Sequence, residues 1–331
     1  MERSESSHFS PRGVKRITTV KKRVLIVGGG LAGLACAVRL HEAGAQPLIL
    51  EASDDAGGRV RTDVVDGFRL DRGFQVYLDA YPEAGKLLNL PRLDLRPFKP
   101  GALVFLDGRL QRVMDVFRDP RHVLTSALAP VGSLADKLRV AALKWRISRS
   151  TLADIRPQCL QGDAVVVAAD ATTAARFIPG LVTKEPEWRA VTGLYFAAEK
   201  SPLREAIIAL NGTGRGLVNN VCVLSDVPPG YAPPDRALIS ISVLGVPAIP
   251  DLETQILAEL EPWFGPEVRH WRHLRTDRIE RALPEQPPIE GALGPCFREV
   301  DGLFACGDHL TSASIEGAII SGLLTANALL G

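Results

Sequence analysis

Arg23-Val24-Leu25-Ile26-Val27-Gly28-Gly29-Gly30-Leu31-Ala32-Gly33 is the stretch on which the fold turns. Arg23–Val27 is a short run of β-branched and aliphatic residues closed by glycine, the pattern of a strand buried on both faces of a parallel sheet. From Leu31 to Ala43, Ala and Leu recur at helical spacing until Gly44 stops them. Pro47–Leu50 predicts a second strand, so residues 23–50 read as one βαβ unit. The turn between the first strand and the helix satisfies G-x-G-x-x-G. Gly28 allows the tight turn, Gly30 lets a pyrophosphate approach the backbone, and Gly33 lets helix and strand pack closely. The N–H groups around Leu31 and Ala32 then face the phosphates at the positive end of the helix.

Working outward, Glu51 stands at the end of the second strand, with Ala52 beside it. An acid about twenty residues past the glycines accepts hydrogen bonds from ribose hydroxyls and repels a 2′-phosphate. Gly57-Gly58-Arg59 follows, a second glycine pair with an arginine that an NAD dehydrogenase does not need. At the other end, Gly302–Cys306 is a strand running into Gly307-Asp308, and Ser312–Ala318, with Glu316, Gly317 and Ala318, opens a last helix over Ile315–Leu330.

Composition narrows the class. The 331 residues carry 46% hydrophobic side chains, enough for a sizeable core, and a net charge of +1 from 39 basic and 38 acidic groups. That balance argues against a nucleic-acid surface. Cys36, Cys159, Cys222, Cys296 and Cys306 show no CxxC spacing, which speaks against a zinc site or a disulfide framework and for buried thiols in a reducing compartment. His270 and His273 stand three apart without an acid cluster and read as surface residues. No apolar run is long enough to cross a bilayer, though peripheral membrane contact stays open. Residues 1–22 read as a disordered, Ser- and Arg-rich tail; with Glu2 and Glu5 in it, a cytoplasmic protein is expected, a plastid or other organelle being the alternative.

Between the ends, Asp107-Gly108 predicts a hairpin joining Leu103–Leu106 to Arg109–Val113. Leu134–Ile147 predicts a helix, Ala164–Ala168 a buried strand, and Leu252–Trp263 a helix. Val191–Ala198, Leu217–Leu224 and Ala237–Leu244 predict three strands of an antiparallel sheet.

The βαβ unit with Glu51, Gly57-Gly58-Arg59 and the C-terminal Gly307-Asp308 motif together resemble the FAD-dependent amine oxidase, phytoene desaturase and protoporphyrinogen oxidase family. The resemblance implies an α/β fold: a glutathione-reductase-like FAD-binding Rossmann domain with an inserted α+β substrate domain. It implies FAD-binding segments at 23–75, 160–180 and 300–331, and substrate-domain segments at 76–159 and 181–299. It further implies that Arg59 neutralises pyrophosphate charge, that Asp308 binds the ribitol or pyrophosphate, and that N–H groups near Gly317 and Ala318 face the flavin N1–C2=O edge. Gly67–Gln75 would lie near the isoalloxazine, the roles of Asp71, Arg72 and Gln75 being open. Relatives of this kind carry a longer segment before the strand at Ala164; here residues 148–163 alone join it to the preceding helix, so Leu138, Leu143 and Trp145 are expected to be partly exposed. The implied function is hydride transfer from a small apolar or amine substrate to flavin, with the electron acceptor and catalytic residues unassigned. The alternative is a non-catalytic binding module on the same fold.

Overall fold

The computed structural model describes residues 23–115, 164–178, 187–286, 298–300 and 302–331, together with residues 118, 121 and 129 singly. The expected tail at 1–22, the helix at Leu134–Ile147 and the exposure of Leu138, Leu143 and Trp145 lie outside these residues. So do Cys159 and Cys296.

The first unit is a five-stranded sheet. β1 (Arg23–Val27) pairs in parallel with β2 (Gln46–Leu50) on one side and with β7 (Val165–Val167) on the other. β7 pairs in parallel with β14 (Leu303–Ala305), and β13 (Arg298–Val300) adds an antiparallel edge, giving the order β13-β14-β7-β1-β2. Strands from opposite ends of the chain therefore join one sheet, with β7 from its middle between them. Helix α1 (Leu31–Glu42) and the C-terminal helix, α5 (Ile315–Leu330), cover one face, packing Ala32, Cys36, Leu40 and Ala326 onto Val24, Ile26, Val166 and Phe304. Gly322 lets the two helices touch: a Cβ there would lie 2.1 Å from the Ala32 carbonyl oxygen. On the other face, α3 (Ala171–Phe177), capped by Asp170, covers Val167 and Ala305.

The second unit is a seven-stranded sheet of order β12-β8-β11-β10-β9-β5-β6. Its predicted centre is present as β8 (Trp188–Ala198), β11 (Ala237–Leu244) and β10 (Val218–Val223), all antiparallel. The hairpin β5 (Gly101–Leu106) and β6 (Arg109–Met114) turns through Asp107 and Gly108, both at positive φ. β9 (Ile208–Asn211) and β12 (Arg272–Pro284) extend the sheet beyond what the pattern predicts. Helix α4 (Leu252–Phe264) buries Leu252, Ile256, Leu260 and Trp263 against one face. The other face receives a small hairpin, β3 (Thr62–Val65) and β4 (Phe68–Asp71), through Phe68 and Leu70 on Tyr195 and Leu238. A short helix, α2 (Pro82–Leu87), packs against α5.

Candidate functional site: a dinucleotide cleft at the sheet's C-terminal edge

The C-terminal ends of β1, β2, β7 and β14 open onto one cleft of about 780 Å³. This is where open α/β sheets bind ligands, because helix N-termini and loops converge there. The three motif glycines divide their roles. Gly28 sits at φ +113, and a Cβ on it would lie 2.6 Å from the Ala168 carbonyl oxygen, so only glycine lets β1 turn beside β7. A Cβ on Gly33 would lie 2.1 Å from the Gly28 carbonyl oxygen, so α1 seats only with glycine there. A Cβ on Gly30 would meet nothing within 4 Å. Gly30 lines the cleft at the N-cap of α1, and its missing side chain keeps space clear before the helix N-terminus.

The second glycine pair is bonded to the first. Gly57 N–H donates to the Gly29 carbonyl oxygen at 2.9 Å, and a Cβ on Gly58 would lie 3.3 Å from Gly30 Cα. Both glycines adopt positive φ, which frees Arg59 to cross the cleft. Its Nη2 donates to Asp308 Oδ2 at 2.7 Å and its Nη1 to the Ala282 carbonyl oxygen at 2.8 Å. Asp308 is buried, and Gly307 before it is fixed by donating its N–H to Ser321 Oγ at 3.0 Å. Across the cleft, Glu51 accepts from Gly29 N–H at 2.6 Å and from Ser53 N–H and Oγ at 2.9 and 2.7 Å. The Ser53 hydroxyl and N–H, with Gly29 N–H, hold its carboxyl below the usual glutamate range. Leu31, Ala32, Ala52, Gly58 and Ala318 also line the cleft.

Two expectations at the C-terminal helix are corrected. Glu316 does not line the cleft: its buried carboxylate accepts from Glu83 N–H at 2.8 Å and Ala84 N–H at 2.9 Å, capping α2. A helix N-terminus with two orphan donors attracts a carboxylate strongly. Gly317 and Ala318 do not offer free N–H groups either. Ser314 Oγ takes the first at 2.9 Å and the Ser314 carbonyl oxygen the second at 3.0 Å. The donors of that helix turn are those of Ile315 and Glu316, which have no intrahelical partner.

Of the residues with open roles, Gln75 lines the cleft. Asp71 is buried instead between Thr62 Oγ1 (2.5 Å) and Tyr231 OH (3.0 Å), and burial raises its pKa. Arg72 pairs with Asp63 at 3.1 Å. Residues that motif reading missed include Tyr81, Thr173, Phe177 and Arg281 on the walls. They belong to segments with no phosphate-binding signature, so only the fold brings them here. His309 was also missed: both its ring nitrogens are buried without a partner, and desolvation lowers its pKa. His273 bonds Thr276 Oγ1 at 2.8 Å, and among the described residues no cluster of metal-ligating side chains occurs.

The cleft wall brings together the acid after β2, the glycine-lined backbone after β1, and Arg59, Asp308 and the α5 N-terminus. That set fits FAD: the open space at Gly30 would admit a pyrophosphate, and Glu51 and Asp308 on the cleft wall would offer carboxylates to the sugar hydroxyls. No described helix is long and apolar enough to cross a membrane.

Comparison with known proteins agrees. L-amino acid oxidase of Bothrops pictus is 35% identical over 138 residues, covering 38% of this chain and 27% of its own length. The chloroplastic/chromoplastic 15-cis-phytoene desaturase of Narcissus pseudonarcissus is 28% identical over 177 residues, covering 53% of this chain and 30% of its own. This chain thus spans under a third of either relative. Cyclohexylamine oxidase from Brevibacterium oxydans IH-35A superposes with a TM-score of 0.65 at 16% identity, covering 94% of this chain and 99% of that one, a likeness of fold. The family model for flavin containing amine oxidoreductases matches residues 31–156 and 139–330, and on that match the chain belongs to this family of FAD-binding oxidoreductases.

Proposed function

We propose that this chain binds FAD in the cleft and oxidises a small apolar or amine substrate. The observation that carries the reading is the joining of two distant motifs on one cleft: Arg59 bonded to Asp308, opposite Glu51 and the open space at Gly30. When bound, FAD supplies the hydride-accepting chemistry, and the protein contributes binding, orientation and electrostatics. Gly30 and the α1 N-terminus receive the pyrophosphate, Arg59 offsets its charge, and Glu51 and Asp308 bind sugar hydroxyls. The first turn of α5 presents its dipole to the negative charge that reduction places on the flavin. In this reading residues 23–75, 160–180 and 300–331 make the FAD-binding domain, and 76–159 and 181–299 the substrate domain. A cytoplasmic or an organellar setting is compatible with it; three of the relatives are named for chloroplasts.

The test is the visible spectrum of the purified protein, recorded anaerobically before and after addition of a panel of primary amines, amino acids and apolar polyenes. Oxidised-flavin bands that bleach with one of these support the proposal. Flavin bands that none of them bleaches would favour a binding module, and protein that takes up no FAD would sink the reading altogether.

A further inference from the structure

We propose that Glu316 is a buried anion that lowers the reduction potential of the flavin from behind the first turn of α5, which makes the reduced cofactor a stronger reductant. The proposal rests on the reading that FAD binds in the cleft with its N1–C2=O edge at that turn.

Glu316 is 6% exposed, and its two oxygens accept from the N–H groups of Glu83 and Ala84 at the start of α2. Among the described residues no cation pairs with it. The side chain of Glu83 has a counter-ion, Lys86 at 2.6 Å, so the uncompensated charge at this junction is that of Glu316. Capping α2 does not call for a charge, because a neutral oxygen can accept from the same N–H groups. Burying an anion without a cation costs desolvation, offset here by the two bonds and by the positive ends of α2 and α5.

Covalent geometry brings the charge close to the cleft. Ser314 and Ile315 line it, and Ile315 and Glu316 carry the N–H groups of that turn which have no intrahelical partner. Four bonds of about 1.5 Å join the Glu316 amide nitrogen to its carboxyl carbon, so the two are at most about 5 Å apart. An oxygen that accepts from this N–H at about 3 Å then lies within about 8 Å of the carboxylate. Protein rather than bulk water fills that gap, so salt screens the interaction weakly. Tyr81 shows that the field reaches the cleft wall. It lines the cleft at the N-cap of α2, and burial and the Glu316 charge push its phenol above the ordinary tyrosine range. Reduction places negative charge at the N1–C2=O edge, and charge near N1 tunes a flavin. The α5 dipole favours that charge, and the Glu316 carboxylate opposes it from the same turn.

Anaerobic equilibration with redox dyes of known potential measures protein-bound FAD in the wild type and two variants. Glu316→Gln keeps the volume and one acceptor oxygen but removes the charge. It should shift the balance toward the reduced flavin about tenfold, a rise of about 30 mV for a two-electron couple. Glu316→Asp keeps the charge but is too short to cap α2. Its potential should stay at or below the wild-type value, while its melting temperature falls at least as far as that of Glu316→Gln. A potential that follows charge while stability follows the cap separates tuning from a merely structural role. An unchanged potential in Glu316→Gln, an equal rise in Glu316→Asp, or loss of FAD from Glu316→Gln would each overturn the proposal. Wild-type protein that takes up no FAD sinks the flavin reading and this proposal with it, whereas FAD-loaded protein whose potential ignores Glu316 fails this inference alone.

Discussion

Arg59 and Asp308 meet at 2.7 Å although 249 positions separate them in the chain. Asp308 is buried while the arginine side chain is 40% exposed, so the arginine screens the carboxylate from one side and keeps its other donor on the Ala282 carbonyl. The pair fastens the turn after β2 to the turn after β14, the two loops that flank the proposed pyrophosphate site. Removing Arg59 leaves a buried carboxylate short of its charged donor. Arg59→Ala should therefore cost about 1.5–3 kcal/mol of stability. Asp308→Ala frees an arginine that water can solvate, and should cost less. A double-mutant cycle by denaturant unfolding should return a coupling of about 0.5–3 kcal/mol. A coupling near zero would mean that the two side chains do not act on each other in solution.

Glu51 and Glu42 are acids on the same βαβ unit, but only Glu51 lines the cleft. Glu42 stands in an exposed i,i+3 pair with Arg39 at 3.9 Å, the kind of contact that contributes little. Glu51→Ala should weaken FAD binding by about 1.5–3 kcal/mol, roughly ten- to a hundredfold. Glu42→Ala should leave it unchanged. Flavin fluorescence titrations of the two apoproteins make the comparison, and equal constants would remove Glu51 from the site.

How much of this was legible beforehand varies by element, for physical reasons. β1, α1 and α5 announce themselves because burial demands apolar runs and glycine punctuation; β2 is legible from its apolar run alone, since it is an edge strand with Leu48 and Leu50 exposed. β12 does not. Arg272–Pro284 is an edge strand whose outward side meets water, and its inward Arg275 is neutralised by Asp63 at 2.9 Å and Asp277 at 2.8 Å. A strand that satisfies its charges by tertiary pairing carries no alternating pattern. The β3–β4 hairpin is different: Asp66-Gly67 adopts positive φ at both positions, as Asp107-Gly108 does, so its turn chemistry was readable in the same way. In the site, glycines and the acid after β2 were legible because backbone geometry dictates them. Glu316 misled because a buried acid at a helix start looks the same whether it serves a ligand or, as here, a neighbouring helix.

His309 makes stability depend on pH. Burial lowers its folded-state pKa below the ordinary histidine value, against the raising influence of Asp308 and Asp170. The unfolded chain therefore binds a proton that the folded chain refuses. Stability is full above about pH 6.5 and falls as the pH drops from there toward the folded pKa. One proton sets the limit at about 1.4 kcal/mol per pH unit. Urea unfolding between neutral and mildly acidic pH should show this slope in the wild type and a shallower one in His309→Leu. Parallel slopes would show that His309 titrates as it does when unfolded.

The motif glycines offer the sharpest separation of packing from ligand space. Gly33 and Gly30 lie three positions apart in the same turn, and both are conventionally read as part of one phosphate loop. The structure gives them different neighbours. A methyl group on Gly33 would stand 2.1 Å from the Gly28 carbonyl oxygen, a backbone atom fixed by Gly28's own contact with β7, so nothing nearby can yield. Gly33→Ala should push α1 off the sheet, with a loss at the high end of core overpacking, about 3 kcal/mol or more. A methyl group on Gly30 meets no protein atom within 4 Å, and its backbone at φ −74 suits any residue. Gly30→Ala should cost the apoprotein about 1 kcal/mol or less, the usual difference between glycine and alanine at an N-cap. Its methyl group would instead occupy the space proposed for the pyrophosphate, so FAD binding should fall by at least tenfold while the fold persists. Thermal melts of the two apoproteins, paired with flavin titrations, read both arms. A Gly30→Ala protein that binds FAD like the wild type would mean that the pyrophosphate does not lie against this turn.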